Sequence, residues 1–258
     1  MKTKPELSII IVCYNSLGHL KRCFDSIINS HDNLSKEVVV VDNGSSDGSA
    51  EFVKSSFPQF KLIENGKNMG FACANNIGIK NSRGKYLLIL NPDTEIAADS
   101  LEKLVEFLKN TGDAGAVGPK LLYPDGSLQL SCRSFYTVRT ILFRRILTHL
   151  NPKLERDHLM LDWDHNSVKE VDWVLAACLL TTREVMEKAG YFDEKYRLYF
   201  EDVDFCYRIK QLGYKTYYFP FSTVTHHHQR ESAKGFSNKT LWHLQSMVRF
   251  FNKHGWKL

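Results

Sequence analysis

Short apolar runs alternate with segments of helical periodicity along the first half of the chain. Four runs have the composition of buried strands: residues 7–13, 37–43, 60–65 and 85–91. Apolar spacing or capping residues predict helices at residues 17–28, 45–57, 70–82 and 99–110. We expect Ser45 or Ser46 to cap the second helix. Because strands that alternate with helices pair in parallel, the pattern predicts a mostly parallel, doubly wound α/β sheet.

The second half of the chain has a different pattern. A turn at residues 124–126 predicts a hairpin, and polar residues 151–170 are typical of a loop. Further apolar patterns predict a strand at 171–182, helices at 183–194 and 201–213, strands at 214–220 and 224–228, and a C-terminal helix at 238–255. Neither a repeat nor an interdomain linker is visible, so we expect residues 1–258 to form a single domain.

Polar residues follow three of the four strands of the first half. The first strand is followed by Tyr14 and Asn15, the second ends in residues 42–44, and the fourth ends in residues 91–93. Ligands of doubly wound sheets bind in the crevice at the carboxyl ends of the strands. The sequence therefore predicts that these three strand ends meet in one ligand site.

Asp93 is a turn residue or a ligand for a cation at one of these strand ends. Mg²⁺ and Mn²⁺ take one or two carboxylates together with phosphate oxygens of a substrate. Asp93, an amide oxygen and a histidine would form a partial set of ligands. The candidate histidines are residues 226–228, of which at most two can face one ion because side chains alternate along a strand.

Asp42 and the segment 68–76 each have two interpretations. Asp42 is either a turn residue or an acceptor for a base or ribose at the strand end. The segment contains Asn68, Gly70 and Asn75, and it either forms an ordinary loop or offers backbone N–H groups to a phosphate. The first strand is not followed by Gly-x-Gly-x-x-Gly, which argues against an ordinary dinucleotide enzyme.

Three carboxylates, Glu201, Asp202 and Asp204, begin a predicted helix. Carboxylates at this position stabilise a helix through its dipole by about 0.3–1 kcal/mol each, which alone would explain them. Alternatively, one of them is a general base, because crowded carboxylates raise the pKa of one another.

Composition and charge restrict the classes of partner. The net charge of +5 favours anionic partners, but no Lys/Arg block typical of nucleic-acid binding is present. The six cysteines form no Cys-x-x-Cys pair, so we expect reduced thiols in a cytoplasmic protein. We expect neither a signal peptide nor a membrane-spanning helix. Residues 138–150 are basic and amphipathic, and they either lie on an anionic membrane or form a core helix.

Together these motifs resemble the inverting glycosyltransferases of family 2, which have the GT-A fold, and most of all bacterial rhamnosyltransferases of cell-wall and O-antigen synthesis. The resemblance extends from Leu7 to about Phe251. It is carried by SIIIVCYNS, VVVVDNGSSDGS, NMGFACANNIGI, LLILNPDTEI, VDWVLAACLLTTREVMEKAGYFDE, YFEDVDFCYRIKQLGYKTYYFP and VTHHH, in this order.

The resemblance implies a role for each candidate residue. Residues 1–118 would bind the nucleotide sugar, and residues 119–258 would bind the acceptor and carry the catalytic base. Asp202 would be the base, supported by Glu201 and Asp204, and Asp93 and His226 would hold Mg²⁺ or Mn²⁺. The residues that would bind the nucleotide sugar are Tyr14, Asn15, Asp42, Asn68, Gly70, Asn75, Asn91 and Asp93.

Two departures from the family pattern bear on these roles. Asn91 replaces the first aspartate of the metal-binding Asp-x-Asp, so only Asp93 carries over as a ligand. Ala176 and Ala177 lie where relatives often have a glycine, which narrows the expected acceptor pocket.

The implied activity is metal-dependent, inverting transfer of L-rhamnose from dTDP-rhamnose to a hydroxyl of a lipid-linked or polysaccharide acceptor. Such an enzyme would be cytoplasmic or peripheral on the inner face of the cytoplasmic membrane. Two alternatives stay open: a UDP-hexose or UDP-N-acetylhexosamine transferase of the same fold, and a nucleotide-sugar-binding protein without catalysis.

Overall fold

The computed structural model describes residues 4–137, 152–196, 198–227 and 238–256. The predicted basic helix 138–150 and His228 lie outside these residues.

Twelve strands are present in the described ranges. They are β1 (Leu7–Cys13), β2 (Lys36–Asp42), β3 (Lys61–Glu64), β4 (Tyr86–Leu90), β5 (Thr94–Ile96), β6 (Ala114–Leu122), β7 (Leu128–Gln129), β8 (Cys132–Arg133), β9 (Lys169–Val171), β10 (Trp173–Val174), β11 (Cys178–Thr182) and β12 (Lys215–His226).

The same ranges contain eight helices. They are α1 (Leu17–Ile28), α2 (Ser49–Ser56), α3 (Phe71–Lys80), α4 (Ser100–Asn110), α5 (Pro152–Leu159), α6 (Arg183–Ala189), α7 (Glu201–Gln211) and α8 (Asn238–His254). None of them is long and apolar enough to cross a membrane.

The main sheet has the order β3-β2-β1-β4-β11-β6-β12-β5, with β7 beside β6 and β9 beside β12. Strands β1 to β4 pair in parallel, as do β6 and β12. Strand β11 is antiparallel to both of its neighbours, and its first residue, Cys178, pairs with Leu90 at the end of β4. The predicted α/β class with a parallel core is confirmed, and the reversal at β11 brings residues 175–177 to the carboxyl edge of β4.

The central strands are buried on both faces, which explains their continuous apolar composition. In β1, Ile9 and Ile11 pack into one core, and Ile10 packs into the other. These rigid strands fix the positions of the polar residues at their ends. Strands from both halves of the chain share one sheet, and the predicted boundary at residues 118 and 119 falls inside β6; the division into halves stays a prediction.

The predicted cap of the second helix is wrong. Helix α2 begins only at Ser49, after Gly48 with φ of +88°, and the cap makes no side-chain hydrogen bond. Ser45 and Ser46 lie in the preceding loop, where both bind Asn15. They are therefore unable to cap a helix that starts later.

Three other predicted boundaries also differ from the structure. Residues 151–170, predicted as a loop, include helix α5. The predicted strand at 171–182 is divided among three strands, since residue 172 separates β9 from β10 and residues 175–177 turn between β10 and β11. The two strands predicted at 214–228 are one strand, β12, whose register shifts between Phe219 and Thr223, around Pro220.

Candidate active site

The ends of β1, β2 and β4 lie side by side at one edge of the sheet. In the parallel register, Cys13 pairs with Asp42 and Ile11 pairs with Leu90. The backbone N–H of Asn43 donates to the carbonyl of Cys13 at 2.8 Å. The structure thus brings together the polar residues that follow these three strands.

Asn15 joins the loop after β1 to the loop after β2. Its backbone lies in the left-handed region, with φ of +52°, which asparagine tolerates better than most residues. Its Oδ1 accepts a hydrogen bond from the Ser46 backbone N–H at 2.8 Å, and its own N–H donates to Ser45 Oγ at 3.0 Å. The preceding Tyr14 is 49% exposed, so its ring is presented at the surface of this loop pair.

Asp42 has one oxygen that no described residue binds. Its Oδ2 accepts hydrogen bonds from the backbone N–H groups of Gly44 at 3.2 Å and Ser45 at 3.1 Å. Its Oδ1 is buried and has no partner within the described ranges. Because an unpaired buried acceptor is costly, Oδ1 is suited to accept from a hydroxyl or N–H group of a ligand.

Asn43 organises the loop before α3, a role that no pattern in the sequence indicates. Its Oδ1 accepts from Asn65 Nδ2 at 3.1 Å and from the Met69 N–H at 2.9 Å, and its Nδ2 donates to Asn68 Oδ1 at 3.1 Å. Asn68 Oδ1 also accepts from the Gly70 N–H at 2.9 Å. The predicted donor-site residues Asn68 and Gly70 are thus fixed next to the end of β2.

Gly44 allows this loop to approach the strand end. Its φ is +83°, and a Cβ atom added to it would lie 2.7 Å from the Cα of Lys67. Both observations require glycine at this position. The Asn-Gly pair at the end of a strand is the signal in the sequence that points to such a turn.

Asn75 lies on α3, one turn into the helix. Its Nδ2 donates to the Phe71 carbonyl at 3.0 Å, while its Oδ1 is buried without a partner among the described residues. The helix begins after Gly70, with φ of +84°, and its N-terminus has no side-chain cap. Asn75 therefore keeps one acceptor for a ligand.

Asp93 and His226 come together between β5 and β12. His226 pairs with Thr94, and the His227 N–H donates to the Asp93 carbonyl at 2.8 Å. His226 Nε2 lies 3.3 Å from Asp93 Oδ1. Burial raises the pKa of Asp93, but the hydrogen bond and charge of His226 outweigh burial, so the pKa is lowered overall. Asp93 is therefore ionised at neutral pH.

Gln129, on β7, sets the orientation of this histidine, a role that no pattern in the sequence indicates. Its Oε1 lies 2.7 Å from His226 Nδ1, and the side chain is buried. Because a carbonyl oxygen only accepts, this contact places a proton on Nδ1 and leaves Nε2 as the ring nitrogen that faces Asp93. A histidine that ligates a metal is typically held in this way.

The ligand atoms at this position fit a divalent cation whose remaining coordination positions are filled by a substrate. A carboxylate oxygen and an imidazole nitrogen face each other, and the described ranges contain no group of three or more His, Cys, Asp or Glu that could hold a metal alone. Mg²⁺ and Mn²⁺ commonly take only one or two protein carboxylates and fill the other positions with phosphate oxygens and water. Asn91 lies at the end of β4, and its backbone carbonyl accepts from Thr94 Oγ1 at 2.7 Å.

Asp202 is connected to the end of β4 through two adjacent alanines. Its Oδ2 accepts from the Ala176 N–H at 3.2 Å, and the Ala177 carbonyl accepts from the Asn91 N–H at 2.9 Å. Asn91 is two residues from Asp93. The segment between β10 and β11 thus places Asp202 at the same edge of the sheet as Asp93.

The carboxylates at the start of α7 have raised pKa values. Burial is the main cause for Asp202, opposed by the N–H groups of Ala176 and Val203 and by the charge of Arg133. Burial, followed by the charge of Asp202, raises the pKa of Glu201 to about 8. A carboxylate with a raised pKa is a stronger base than a solvated one, so Asp202 is suited to accept a proton from a hydroxyl.

Asp204 is bound in a network that connects α7 to α8. Its carboxylate accepts from Arg208, Lys253 and His254, each at 2.7 Å, and from the Tyr196 hydroxyl at 3.2 Å. Burial opposes ionisation, but these partners hold its pKa well below the usual range. We therefore interpret Asp204 as a residue that stabilises helix packing rather than as a support for the base.

The model of the family described as glycosyl transferase family 2 matches residues 8–173 of the chain. The chain belongs to glycosyltransferase family 2. This match covers more than half of the protein, including the ends of β1, β2 and β4. The expected family and the glycosyltransferase class are thereby confirmed.

Two proteins similar to this chain are named as rhamnosyltransferases. The N-acetylglucosaminyl-diphospho-decaprenol L-rhamnosyltransferase of Mycobacterium tuberculosis is 27% identical over 267 residues, which cover 97% of this chain and 86% of the relative. The rhamnosyltransferase WbbL of Escherichia coli is 24% identical over 254 residues, which cover 94% and 91%. Both alignments include nearly all of this family 2 chain.

A solved glycosyltransferase structure supports the predicted GT-A fold. The mannosyltransferase PcManGT from Pyrobaculum calidifontis, in complex with GDP-Man and Mn²⁺, superposes with a TM-score of 0.65 at 20% sequence identity. The superposition covers 98% of this chain and 65% of that chain. The expected fold is confirmed.

Proposed function

We propose that the protein transfers L-rhamnose from dTDP-rhamnose, with inversion, to a hydroxyl of an acceptor carried on a polyprenyl diphosphate. The products would serve the synthesis of cell-surface polysaccharide. Similarity over almost the whole chain to two rhamnosyltransferases supports the sugar, and the name of the mycobacterial relative supports the acceptor class. Hydrogen bonds connect Asn91 through Ala177 and Ala176 to Asp202. This connection carries the proposal, because it joins the proposed base to the edge of the sheet where the sugar donor would bind.

The nucleotide would bind at the ends of β1 and β2. Asp42 Oδ1 has no partner in the described ranges and would accept from the base or ribose, while Tyr14 would pack against the base with its exposed ring. Asn15 would hold the loop that carries Tyr14, since it is already bonded to Ser45 and Ser46. Asn75 Oδ1 would contact the donor farther along α3.

Asp93 and His226 would hold Mg²⁺ or Mn²⁺ together with the diphosphate of the donor. The ionised Asp93 and the Nε2 atom of His226 are suitable ligands, and Gln129 keeps His226 in the required tautomer. A bound divalent cation would neutralise the negative charge that develops on the departing nucleoside diphosphate. The leaving group then requires no protonation by the protein.

Asp202 would remove the proton of the acceptor hydroxyl as that oxygen attacks the anomeric carbon. The new bond to carbon forms on the face opposite to the breaking bond to the diphosphate, so a single displacement inverts the configuration. The proton passes to Asp202 and the electron pair of the broken bond leaves with the diphosphate. The Ala176 N–H, at 3.2 Å, keeps the carboxylate oriented during this step.

A nucleotide panel followed by a transfer assay tests the donor. Purified protein is heated with Mn²⁺ and dTDP, UDP or GDP, and the largest rise in Tm identifies the nucleotide. We expect dTDP to give that rise and dTDP-rhamnose to support transfer. A larger rise with UDP and transfer from a UDP-hexose would replace the proposed donor, and nucleotide binding without any transfer or donor hydrolysis would contradict catalysis.

We also propose that the reaction takes place at the inner face of the cytoplasmic membrane, where a polyprenyl diphosphate is anchored. The net charge of +5 supports attraction to anionic lipids. Purified protein is expected to pellet with anionic liposomes at low salt and to be released at high salt. Failure to pellet at low salt would contradict this location.

A further inference from the structure

Arg133 is a partly buried cation that makes no ion pair with any described residue. It lies in β8, opposite Trp173 of β10, and its guanidinium carbon is 5.3 Å from the centre of the Trp173 ring. Its Nε atom is buried, and the guanidinium has no hydrogen-bond or ion-pair partner within the ranges that the structure describes. The indole ring therefore supports one face of the guanidinium and leaves its N–H groups available.

The other partly buried arginines of the described ranges all have acceptors: the Gly84 carbonyl for Arg183, Asp204 for Arg208 and Asp193 for Arg249. Burying part of a charged group without a partner costs free energy, so a protein gains when a ligand supplies the missing anion. The planar fork of a guanidinium matches the oxygens of a phosphate, and an arginine that already stacks on a ring loses little freedom on binding one.

Arg133 lies on the side of the site that contains the base. Strand β10, which pairs with β8, leads directly into Ala176, whose N–H binds Asp202. The positive charge of Arg133 acts on Asp202, since it opposes the effect of burial on the pKa of that carboxyl. An anion held by Arg133 would therefore lie beside the acceptor hydroxyl rather than at the proposed cation ligands.

We propose that Arg133 binds the diphosphate of the lipid-linked acceptor and thereby positions the acceptor hydroxyl at Asp202. This inference rests on the proposed function, because it takes the acceptor to be a sugar on a polyprenyl diphosphate. The hydroxyl and the diphosphate of such an acceptor are attached to the same sugar ring, so one residue at each end fixes the ring between them. The donor also contains a diphosphate, and the experiment must distinguish the two sources.

The first test compares Arg133→Gln with the wild-type protein on two acceptors. One is N-acetylglucosaminyl diphosphate with a short prenyl chain, and the other is an uncharged alkyl N-acetylglucosaminide. We expect the variant to raise KM for the diphosphate acceptor by about 10- to 100-fold, because this is the effect of losing a hydrogen bond to a charged group. Because the charge of Arg133 also acts on Asp202, the comparison uses KM and not kcat: KM for the donor and KM for the uncharged acceptor should be unchanged.

Two further variants separate recognition from folding. Arg133→Lys keeps the charge but not the planar fork, so its acceptor KM should lie between those of the wild type and Arg133→Gln. Arg83→Gln, which removes an exposed arginine paired with Glu37, is the matched control and should behave as the wild type. An Arg133→Gln protein with an unchanged acceptor KM, or with a raised donor KM instead, would overturn the proposal.

The second test does not depend on the identity of the donor. Protein saturated with the nucleotide that binds best is titrated with geranyl diphosphate, and binding is measured by calorimetry. We expect the wild type and Arg83→Gln to bind it and Arg133→Gln to bind it at least tenfold more weakly. Equal binding by all three proteins would refute the role of Arg133 while leaving rhamnosyl transfer intact. If binding depends on Arg133 but no rhamnose is transferred, the donor assignment fails and the anion site stands.

Discussion

Replacement of Asp202 by asparagine isolates its proposed function as a base. Asparagine has nearly the same size and keeps a carbonyl oxygen that can accept from the Ala176 N–H, which Asp202 Oδ2 now does at 3.2 Å. The helix start and the segment 175–177 should therefore keep their positions. What the variant loses is the carboxylate that takes up the proton.

The expected magnitude follows from the contribution of a general base. Such a residue contributes about 10²- to 10⁴-fold to the rate, or about 2.7–5.5 kcal/mol of activation free energy. KM for the donor should change little, because Asp42 and Asp93 lie at other strand ends. The unfolding free energy should also be nearly unchanged or slightly higher, since an amide is cheaper to bury than a carboxylate.

Asp204→Asn, two residues away, provides the matched contrast. Its carboxylate is buried and binds Arg208, Lys253 and His254. Breaking a buried ion-pair network by removing one partner costs about 3–5 kcal/mol, which should lower Tm by several degrees. Asp202→Asn should thus lose activity but keep its stability, whereas the main effect of Asp204→Asn should be a loss of stability.

The assay measures initial rates of sugar transfer with a labelled donor, together with thermal unfolding of each variant. The pH profile of the wild type adds a check: because burial raises the pKa of Asp202, the base becomes protonated and kcat falls at a pH above the ordinary value of 3.8. Asp202→Asn should lack this acid limb. If that variant keeps kcat within a factor of five of the wild type, Asp202 is not the base.

Three other changes test separate parts of the structure. Gln129→Leu removes the acceptor for the Nδ1 proton of His226 and should weaken Mn²⁺-dependent nucleotide binding by about 10- to 100-fold, measured by calorimetry; unchanged binding would argue against this orienting role. Gly44→Ala places a Cβ 2.7 Å from the Lys67 backbone at a φ of +83°. It should therefore lower the unfolding free energy, measured by urea denaturation, by about 1–3 kcal/mol and raise KM for the donor. A variant as stable as the wild type would refute the steric argument. Glu201→Gln should be more stable than the wild type by an amount that grows from pH 5 to pH 8. The pKa of Glu201 is raised to about 8 in the folded protein, so the unfolded wild-type chain releases this proton at a lower pH, and the wild type loses stability as pH rises. A difference in Tm that does not depend on pH would contradict the raised pKa.

The meeting of the strand ends could be predicted from sequence because it follows from local rules. Apolar runs that alternate with helices specify parallel pairing, and parallel pairing places Asn15, Asp42 and Asn91 at one edge. The family resemblance then supplied Asp202 and His226 as candidates. Their proximity to this edge was not visible in any local pattern.

The remaining parts of the site depend on contacts between distant segments. The Gln129–His226 contact joins residues 97 positions apart, and the contact from Ala176 to Asp202 spans 26 positions. No periodicity encodes such pairs. Ser45 illustrates the same point, since its capping composition was overridden by a hydrogen bond from Asn15, 30 positions earlier.

The stereochemistry of transfer tests the central claim most directly, because it reports where the acceptor attacks. Purified protein, Mn²⁺, dTDP-rhamnose and the diphosphate acceptor are incubated, and the anomeric configuration of the product is determined by NMR. If Asp202 activates a hydroxyl on the face opposite to the departing diphosphate, the new linkage has the configuration opposite to that of the donor. A product that retains the configuration of the donor would contradict the single displacement and the placement of Asp202 as its base.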